Sequence, residues 1–355
     1  MLVAALAFLV LLLVLILIHE GGHALLARLM GVRVEEFGFG FPPRLASRRV
    51  GETVYSLNAL PIGGFVRLTG EDDGEIDDPR SFAAQPRAQR ALIIAGGILA
   101  NLALAVVAFT LVAGFGIDVP AAQTDRPVTN RRVEIVEVRD TPVLRAAGIQ
   151  PGDVLVSING TPVESAADGA EKVRGFAGEK LTVNVRRGTE IQEIVLNFSP
   201  PKAAGDRVGL ALLDVGTARI PWSQAPLEGL RMTGRTVQLT FFGIGRTVRE
   251  AIVTRQAPKD LAGPVGIASI TGVVAKRGFV PLLELMGVLS VNLALVNALP
   301  IPALDGGRLF FILLEALGIR GLRGRPERLA HTIGFIVLLA LLAFITFGDV
   351  QRLIQ

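Results

Sequence analysis

The sequence predicts an α-helical membrane protein that crosses the bilayer about four times, with a membrane-dipping β-hairpin region and one inserted α+β domain outside the membrane. Half of the 355 residues are hydrophobic and only 19% are charged, a composition outside the usual range of soluble domains. Four stretches are apolar over the roughly 20 residues that a helix needs to span a bilayer. A long, more polar segment from about 118 to 279 separates the second stretch from the third.

The apolar stretches and the arginines together predict the topology. The four stretches cover roughly residues 2–29, 90–116, 280–316 and 329–348. Nine arginines and no lysine lie from Arg28 to Arg90, and four more arginines lie from Arg320 to Arg328. Short basic loops beside apolar spans are expected on the cytoplasmic side. We therefore expect an inner (plasma) membrane protein whose two termini and inserted domain are extracytoplasmic, with the first stretch retained as a span.

The chain divides into four predicted regions, which cover residues 1–117, 126–200, 201–279 and 280–355. In the first region, GFGFP at 38–42 and TVYSLNALPIGGFVRL at 53–68 are typical of strands and turns. Such backbone is tolerated at membrane depth only when protein or a water-filled cavity surrounds it, and we expect a hairpin that dips into the membrane. In the third region, Pro221–Glu250 is amphipathic and predicts a helix along the membrane surface or, alternatively, one packed on the inserted domain.

The inserted domain has strand-like patterns on both sides of a glycine- and proline-containing turn. RRVEIVEV at 131–138 alternates like a strand, and 181–198 is typical of a hairpin. The run AAGIQPGDVLVSING within 145–163 resembles the PDZ domains of bacterial membrane proteases. That resemblance implies a module that binds an extended peptide as an added strand. The alternative is a spacer or steric lid that binds no peptide, because no carboxylate-binding loop is legible.

His19, Glu20 and His23 form an H-E-x-x-H motif inside the first span. A spacing of four residues places both imidazoles on one helix face, where they can bind one Zn²⁺ while the glutamate reaches a metal-bound water. Titratable groups in hydrocarbon are costly unless they are paired or coordinate a metal. The chain has three histidines and no cysteine, so that any metal must be held by His, Asp or Glu.

A catalytic zinc usually has three protein ligands and one open position. The best candidate for the third ligand is Asp305, which lies in an apolar segment interrupted by Pro300 and Pro302. An unpaired carboxylate there would be expensive, and coordination to zinc would satisfy it.

Several motifs in a fixed order resemble the site-2 proteases, which are intramembrane zinc metalloproteases. They are HEGGH at 19–23, AGGILAN at 95–101, the PDZ-like module and NALPIPALDGG at 297–307. The resemblance is to the bacterial branch whose best-known member cleaves an anti-sigma factor. Relatives of the enterobacterial type have two tandem PDZ domains, whereas this chain has room for one. The resemblance implies that His19, His23 and Asp305 bind zinc and that Glu20 is the catalytic base. Single-pass membrane substrates, such as an anti-sigma factor or remnant signal peptides, are the implied partners.

Three asparagines are candidates for binding the substrate. A substrate helix must unwind before its peptide bond is attacked, and polar side chains can replace the lost backbone partners. The resemblance implies this role for Asn292 and Asn297, and Asn101 is a similar candidate. The alternative is that they hydrogen-bond to neighbouring helices. His331, the remaining histidine, is expected to pack at the membrane interface.

Two other classes of function compete with the protease. A membrane scaffold would use the PDZ-like module to recruit partners, but it would have no use for Glu20 beside a metal. A metal transporter would require further ionisable residues along a path, and the four spans supply few. The net charge of +4 is modest, and no nucleic-acid partner is expected.

Overall fold

The computed structural model describes residues 2–71, 78–124, 126–139, 141–188, 190–205, 208–254, 263–319 and 325–354. The chain forms two compact units. The helical unit comprises residues 1–111, 226–275 and 282–355, and the α+β module comprises 112–225 and 276–281.

The helices in chain order are α1 Leu2–Leu29, α2 Arg87–Phe115, α3 Pro142–Ala147, α4 Ala166–Gly175, α5 Ala225–Thr254, α6 Pro264–Arg277, α7 Phe279–Ala298, α8 Asp305–Ala316 and α9 Arg325–Ile354. The strands are β1 Val34–Val50, β2 Thr53–Leu68, β3 Ile117–Pro120, β4 Val128–Val138, β5 Val154–Ile158, β6 Thr161–Pro162, β7 Gly178–Arg187, β8 Glu190–Lys202 and β9 Leu210–Ala218.

Four of the described helices are long and apolar enough to cross a membrane, as the sequence predicts. These candidate spans are Ala5–Leu29, Arg87–Phe115, Phe279–Ala298 and Pro326–Gln351. The first of the two basic loops, between α1 and α2, contains the β1–β2 hairpin. Much of the second, residues 320–324, lies outside the described residues.

The predicted third span, 280–316, is shorter in the structure, where the candidate span covers Phe279–Ala298, and the break expected at the prolines is present. Helix α7 ends at Ala298 and α8 begins at Asp305, because Pro300 and Pro302 have no N–H to continue a helix. The backbone between them turns, and Ala303 has a positive φ of 84°. The N–H of Ala303 donates to Nδ1 of His331 at 2.9 Å. His331 therefore supports the turn that precedes Asp305.

The β1–β2 hairpin is antiparallel and irregular, with several register shifts along its length. It packs against α1 near the H-E-x-x-H motif. A Cβ placed on Gly64 of β2 would lie 2.7 Å from Cγ2 of Ile16 and 3.0 Å from Cγ of Glu20. The absence of a side chain at Gly64 thus lets the strand approach the glutamate.

Helices α1 and α2 cross at van der Waals contact between their backbones. A Cβ on Gly22 would lie 2.6 Å from Cβ of Ala100, and a Cβ on Gly96 would lie 2.6 Å from the carbonyl oxygen of Gly22. Helix α5 packs one face, through Met232 and Val237, on a small core that includes Phe109 of α2. Other large apolar side chains of α5 are exposed, among them those of Leu239, Phe241 and Phe242.

The α+β module is built on a seven-stranded sheet with the order β3-β9-β4-β5-β7-β8, and β6 pairs with β5. Strand β9 lies beyond the predicted range 126–200 and pairs with β4 along its whole length. Alternating apolar residues of β4, β5, β7 and β8 form the buried core of the module together with residues of α3 and α4. The alternation that predicted these strands is the pattern of a sheet with one face covered.

Candidate metal centre

The side chains of His19, His23 and Asp305 meet in the helical unit, although 282 positions separate the second histidine from the aspartate. Nε2 of His19 lies 3.3 Å from Nε2 of His23. Oδ2 of Asp305 lies 3.2 Å from Nε2 of His19 and 3.3 Å from Nε2 of His23. The three atoms form a nearly equilateral triangle.

This triangle has the size of one face of a zinc tetrahedron. Ligand atoms about 2.05 Å from a metal, at tetrahedral angles, are about 3.3 Å apart. Three ligands on one face leave the fourth position of the tetrahedron free, as a catalytic zinc requires. The residues present therefore fit the ion.

The hydrogen bonds around the triangle also favour a cation. Nδ1 of His23 lies 3.0 Å from the carbonyl oxygen of Ile93, which can only accept, so that Nδ1 carries the proton and Nε2 of the neutral ring has a lone pair. The buried Oδ2 of Asp305 has no hydrogen-bond partner among the described residues. A cation between Oδ2 and the Nε2 lone pair of His23 would stabilise this arrangement.

His19 has a second buried contact, with Asn101 of α2. Asn101 is fully buried, and its Nδ2 lies 3.1 Å from Nδ1 of His19. Its Oδ1 is buried with no hydrogen-bond partner among the described residues. The hydroxyl of Ser290 donates to the carbonyl oxygen of Asn101 at 2.7 Å, which joins α2 to α7 behind the ligand.

Glycines bring the ligand-bearing elements together. A Cβ on Gly97 of α2 would lie 2.5 Å from Cε1 of His19, so that a side chain there would displace the ring. A Cβ on Gly306 would lie 2.5 Å from the carbonyl group of Ala298, so that only glycine lets the chain between α7 and α8 fold back and aim Asp305 at the histidines.

The other candidate residues lie at different distances from the triangle. Glu20 follows His19 and is partly buried against Gly64 of the hairpin. Nδ2 of Asn297 lies 3.5 Å from Nε2 of His19. Asn292 is engaged with α5, since the hydroxyl of Thr240 donates to its Oδ1 at 2.8 Å.

Some supporting residues carry no sequence signal that names their role. The carbonyl oxygen of Ile93 is a backbone atom, and nothing in its side chain marks it as a partner of His23. Glu71 and Arg308 form an ion pair that joins the end of the hairpin to α8. Their opposite charges lie 237 residues apart, and only the fold brings them together.

Comparison with known proteins shows what the whole chain is similar to. The family model described as Peptidase family M50 matches residues 7–341. A protein of Clostridium perfringens is 33% identical over 342 residues, which cover 95% of each chain. The zinc metalloprotease RasP of Geobacillus kaustophilus is 29% identical over 424 residues, also 95% of each chain. A Nostoc protein is 32% identical over 361 residues, which cover 99% of this chain and 96% of the relative. All three bear names that describe zinc metalloproteases.

Proposed function

We propose that this chain, which belongs to peptidase family M50, the site-2 protease family, hydrolyses peptide bonds in or near the transmembrane helices of its substrates. Membership makes the chain a zinc metalloendopeptidase that acts on membrane-embedded substrates. The observation that carries the proposal is the triangle of His19, His23 and Asp305, whose two histidines lie on a helix that could span a bilayer.

The depth of the triangle supports cleavage within the bilayer. His19 follows Ala5 by 14 residues and precedes Leu29 by 10 residues in the first candidate span. At 1.5 Å per residue these separations are about 21 Å and about 15 Å along the helix. Since the hydrocarbon core is about 30 Å thick, a helix that crosses it over these residues would hold the two histidines well inside it. A substrate helix must therefore present its scissile bond at that depth.

The roles that we propose for the residues follow from their positions. Zinc bound to such a site polarises a carbonyl group and makes water a nucleophile at neutral pH. Glu20 accepts the proton of the attacking water and returns it to the leaving amide nitrogen. Asn297, whose Nδ2 is 3.5 Å from a ligand atom, donates to the carbonyl oxygen of the unwound substrate. Asn292 contacts the substrate backbone farther along α7.

Asn101 receives a different role from the one suggested by its residue type. Its side chain is fully buried against His19, which leaves no surface for a substrate. A histidine that binds zinc through Nε2 carries a proton on Nδ1 and needs an acceptor there. A flip of the Asn101 side-chain amide, which exchanges the positions of Oδ1 and Nδ2, would bring Oδ1 to that proton. We therefore propose that Asn101 orients His19.

Replacing the base separates catalysis from metal binding. In Glu20→Gln, the expected cleavage of a tagged single-pass substrate falls by about 10²- to 10⁴-fold, while the zinc content stays at one ion per chain. A zinc chelator should abolish cleavage by the wild-type protein, and added zinc should restore it. Full activity of Glu20→Gln, or activity that survives complete zinc removal, would overturn the mechanism.

The substrate class that we propose is a single-pass membrane protein, such as an anti-sigma factor or a remnant signal peptide. Such a chain offers one helix that can enter between the spans and be unwound. A membrane proteome from cells with Glu20→Gln enzyme should accumulate short helical stubs that the wild-type enzyme removes. An unchanged stub population would contradict this substrate class.

We also propose that both termini and the α+β module are extracytoplasmic, because the arginines between α1 and α2 favour the cytoplasmic side. The absence of cysteine permits a direct test. Ser47→Cys lies on the exposed hairpin, and Ser199→Cys lies on an exposed position of β8. A membrane-impermeant maleimide should label Ser199→Cys in intact cells and Ser47→Cys only after permeabilisation. The reverse pattern would invert the topology.

The α+β module offers a groove that fits the proposed peptide ligand. A cavity of 350 Å³ lies between α4 and the start of β9. Strand β3 covers only Val215–Ala218 of β9, so that within the described residues the edge at Leu210–Asp214 has no strand on that side. An extended peptide can add to such an edge.

A filled groove tests whether the module binds peptide or only acts as a spacer. Ala170 lines the cavity, whereas Ala167 is exposed on the same helix outside it. Ala170→Trp should weaken the binding of a fluorescent substrate-tail peptide at least fivefold, and Ala167→Trp should leave it unchanged. If the wild-type chain binds no such peptide, the spacer interpretation stands.

A further inference from the structure

A second pocket of the helical unit lies at the C-terminal end of α1 and has no part in the metal centre. It has a volume of 460 Å³ and lies between the turn after α1 and the tip of the β1–β2 hairpin. Arg28, Arg33 and Arg80 line it together with one carboxylate, that of Glu52. Three guanidinium groups against one carboxylate leave a net charge of +2 among these four side chains.

The single carboxylate is already engaged by one of the arginines. Nη1 of Arg80 donates to Oε1 of Glu52 at 3.0 Å, and a second bond joins the same two side chains. The hydrogen bonds from Arg80, together with the charges of Arg33 and Arg49, hold the pKa of Glu52 below its ordinary value. Glu52 therefore neutralises the charge of Arg80 and provides no counter-charge for the other two arginines of the pocket.

Arg28 and Arg33 form no ion pair among the described residues. Nη2 of Arg28 donates to two neutral oxygens, Oγ1 of Thr53 at 3.1 Å and the hydroxyl of Tyr55 at 2.9 Å. These bonds fix the guanidinium group without neutralising its charge. Nε of Arg33 is buried and has no hydrogen-bond partner within the described residues. A fixed positive charge beside an unsatisfied guanidinium donor is an arrangement that binds a phosphate group.

The position of the pocket indicates which phosphate it binds. Arg28 lies in the last turn of the first candidate span, at the level where a membrane helix leaves the hydrocarbon and meets the lipid headgroups. The rim carries Tyr55, which is 37% exposed, and Val50, which is 57% exposed. An aromatic ring with a polar end is favoured at the membrane interface, and an exposed valine suits the glycerol and upper acyl chain of a lipid rather than a free anion.

We propose that this pocket binds the phosphate-bearing headgroup of an anionic phospholipid at the end of the first span. The site does not depend on the proposed hydrolysis, because none of its residues contacts the metal ligands. Binding would join α1, the hairpin tip and the segment at Arg80 through one ligand. The hairpin also packs on Glu20 through Gly64, so that the lipid would anchor the element next to the metal centre.

The sharpest test adds one negative charge to the rim. Gly51 lines the pocket at the hairpin tip with a φ of 61° and open space around its Cα. Asn and Asp both tolerate this left-handed conformation. In nanodiscs that contain the full chain, Gly51→Asp should reduce the retention of phosphatidylglycerol about fivefold relative to phosphatidylcholine, and Gly51→Asn should leave it unchanged. Equal retention in both variants would overturn the proposal.

A second pair of variants removes a positive charge. Arg33→Gln should also lower the retention of phosphatidylglycerol about fivefold. Arg249→Gln, an exposed arginine of α5 outside the pocket, should have no such effect. Equal losses in the two variants would show that the membrane surface charge alone retains the lipid, which contradicts a site.

A free anion is distinguished by competition. Inorganic phosphate, added to the detergent-solubilised chain at the concentration of the lipid, should fail to displace phosphatidylglycerol. Displacement would assign the pocket to free phosphate and overturn the lipid headgroup. Zinc content, measured on the same samples, should be identical in all variants, so that a failure of the lipid site is separate from a failure of the proposed protease.

Discussion

Two aspartates with buried carboxylate oxygens, one in each unit of the chain, are satisfied in opposite ways. In the α+β module, the side chain of Asp153 is 2% exposed. It accepts hydrogen bonds from Nε of Arg187 at 2.7 Å, from Nη2 of Arg187 at 2.6 Å and from the N–H of Gln150 at 2.9 Å. In the helical unit, the side chain of Asp305 is 18% exposed. Its Oδ2 faces two imidazole nitrogens and has no hydrogen-bond partner within the described residues.

This difference distinguishes a carboxylate that stabilises the fold from one that can bind a metal ion. A buried charge is tolerated when the protein supplies its counter-charge and donors, as Arg187 and Gln150 do for Asp153. Oδ2 of Asp305 instead lies against two imidazole nitrogens, and a cation bound between these atoms would supply the missing counter-charge. The two histidines lie on a candidate span, which supports the proposal that the zinc chemistry takes place in the bilayer.

The largest effects are expected from neutralising each aspartate in turn. Asp305→Asn should lower the zinc content well below one ion per chain and reduce cleavage at least about 1,000-fold, because the base then has no activated water. Asp153→Asn should keep zinc and the metal centre, but it leaves Arg187 without its anion and destabilises the α+β module by about 1.5 to 3 kcal/mol. Zinc analysis, cleavage and thermal unfolding of the full chain measure these outcomes.

Two outcomes would contradict this comparison. Normal zinc content in Asp305→Asn would show that the carboxylate is not a ligand. Unchanged unfolding of the module in Asp153→Asn would show that its hydrogen bonds do not stabilise the fold.

A smaller effect is expected at Asn101, which tests whether the protein supplies the acceptor for His19. Asn101→Leu should weaken zinc binding about 10- to 100-fold, as the loss of a partner of a metal-bound histidine does. Asn101→Asp should retain zinc binding within a few fold, because a carboxylate also accepts from Nδ1–H of His19. Competition with a calibrated chelator measures the affinity.

The control for Asn101 is Ser290→Ala, which removes the hydrogen bond to its backbone oxygen but leaves its amide in place. Zinc affinity should be unchanged in this variant. Equal losses in Asn101→Leu and Asn101→Asp would mean that the amide acts as a donor or only packs, and the orienting role would then be wrong.

Local patterns predicted the parts of the fold that depend on periodicity and composition. The apolar stretches predicted four candidate spans, and the alternation at 131–138 and 181–198 predicted strands that the structure contains. The prolines at 300 and 302 marked a break, yet the predicted span still ran to 316 because the residues after the break are again apolar. Hydropathy does not register where a chain folds back on itself.

The candidate site could be predicted only in part because its supporting contacts join distant segments. The H-E-x-x-H spacing is local and predicts two ligands on one helix face. The contact of Asn101 with His19 depends on how α2 crosses α1 at Gly22 and Gly96, and nothing at 101 itself distinguishes a substrate contact from a partner of the ligand. Residue type predicted the chemistry, and packing decided which atoms meet.

The smallest effect is expected from Asp168, a half-exposed residue of the α+β module that contrasts with the buried Asp153. Oδ2 of Asp168 accepts from Nζ of Lys172 at 2.7 Å and from the N–H of Glu164 at 3.0 Å. The bond from Lys172, followed by the one from Glu164, lowers the pKa of Asp168 below its ordinary value of 3.8. A lowered pKa in the folded state means that the stabilisation is present above 3.8 and is lost as the pH falls through the folded value.

Asp168→Asn removes this pH-dependent stabilisation. Near neutral pH, the amides of α4 should exchange hydrogen faster in Asp168→Asn than in the wild-type chain, by a small factor because the pair is screened by solvent. Well below pH 3.8, where the carboxyl group is protonated in both states, the two chains should exchange at the same rate. A difference of the same size at both pH values would assign the effect of Asp168 to helix geometry rather than to its charge. Of the two aspartates tested in the α+β module, only the buried Asp153 would then stabilise the module through its charge.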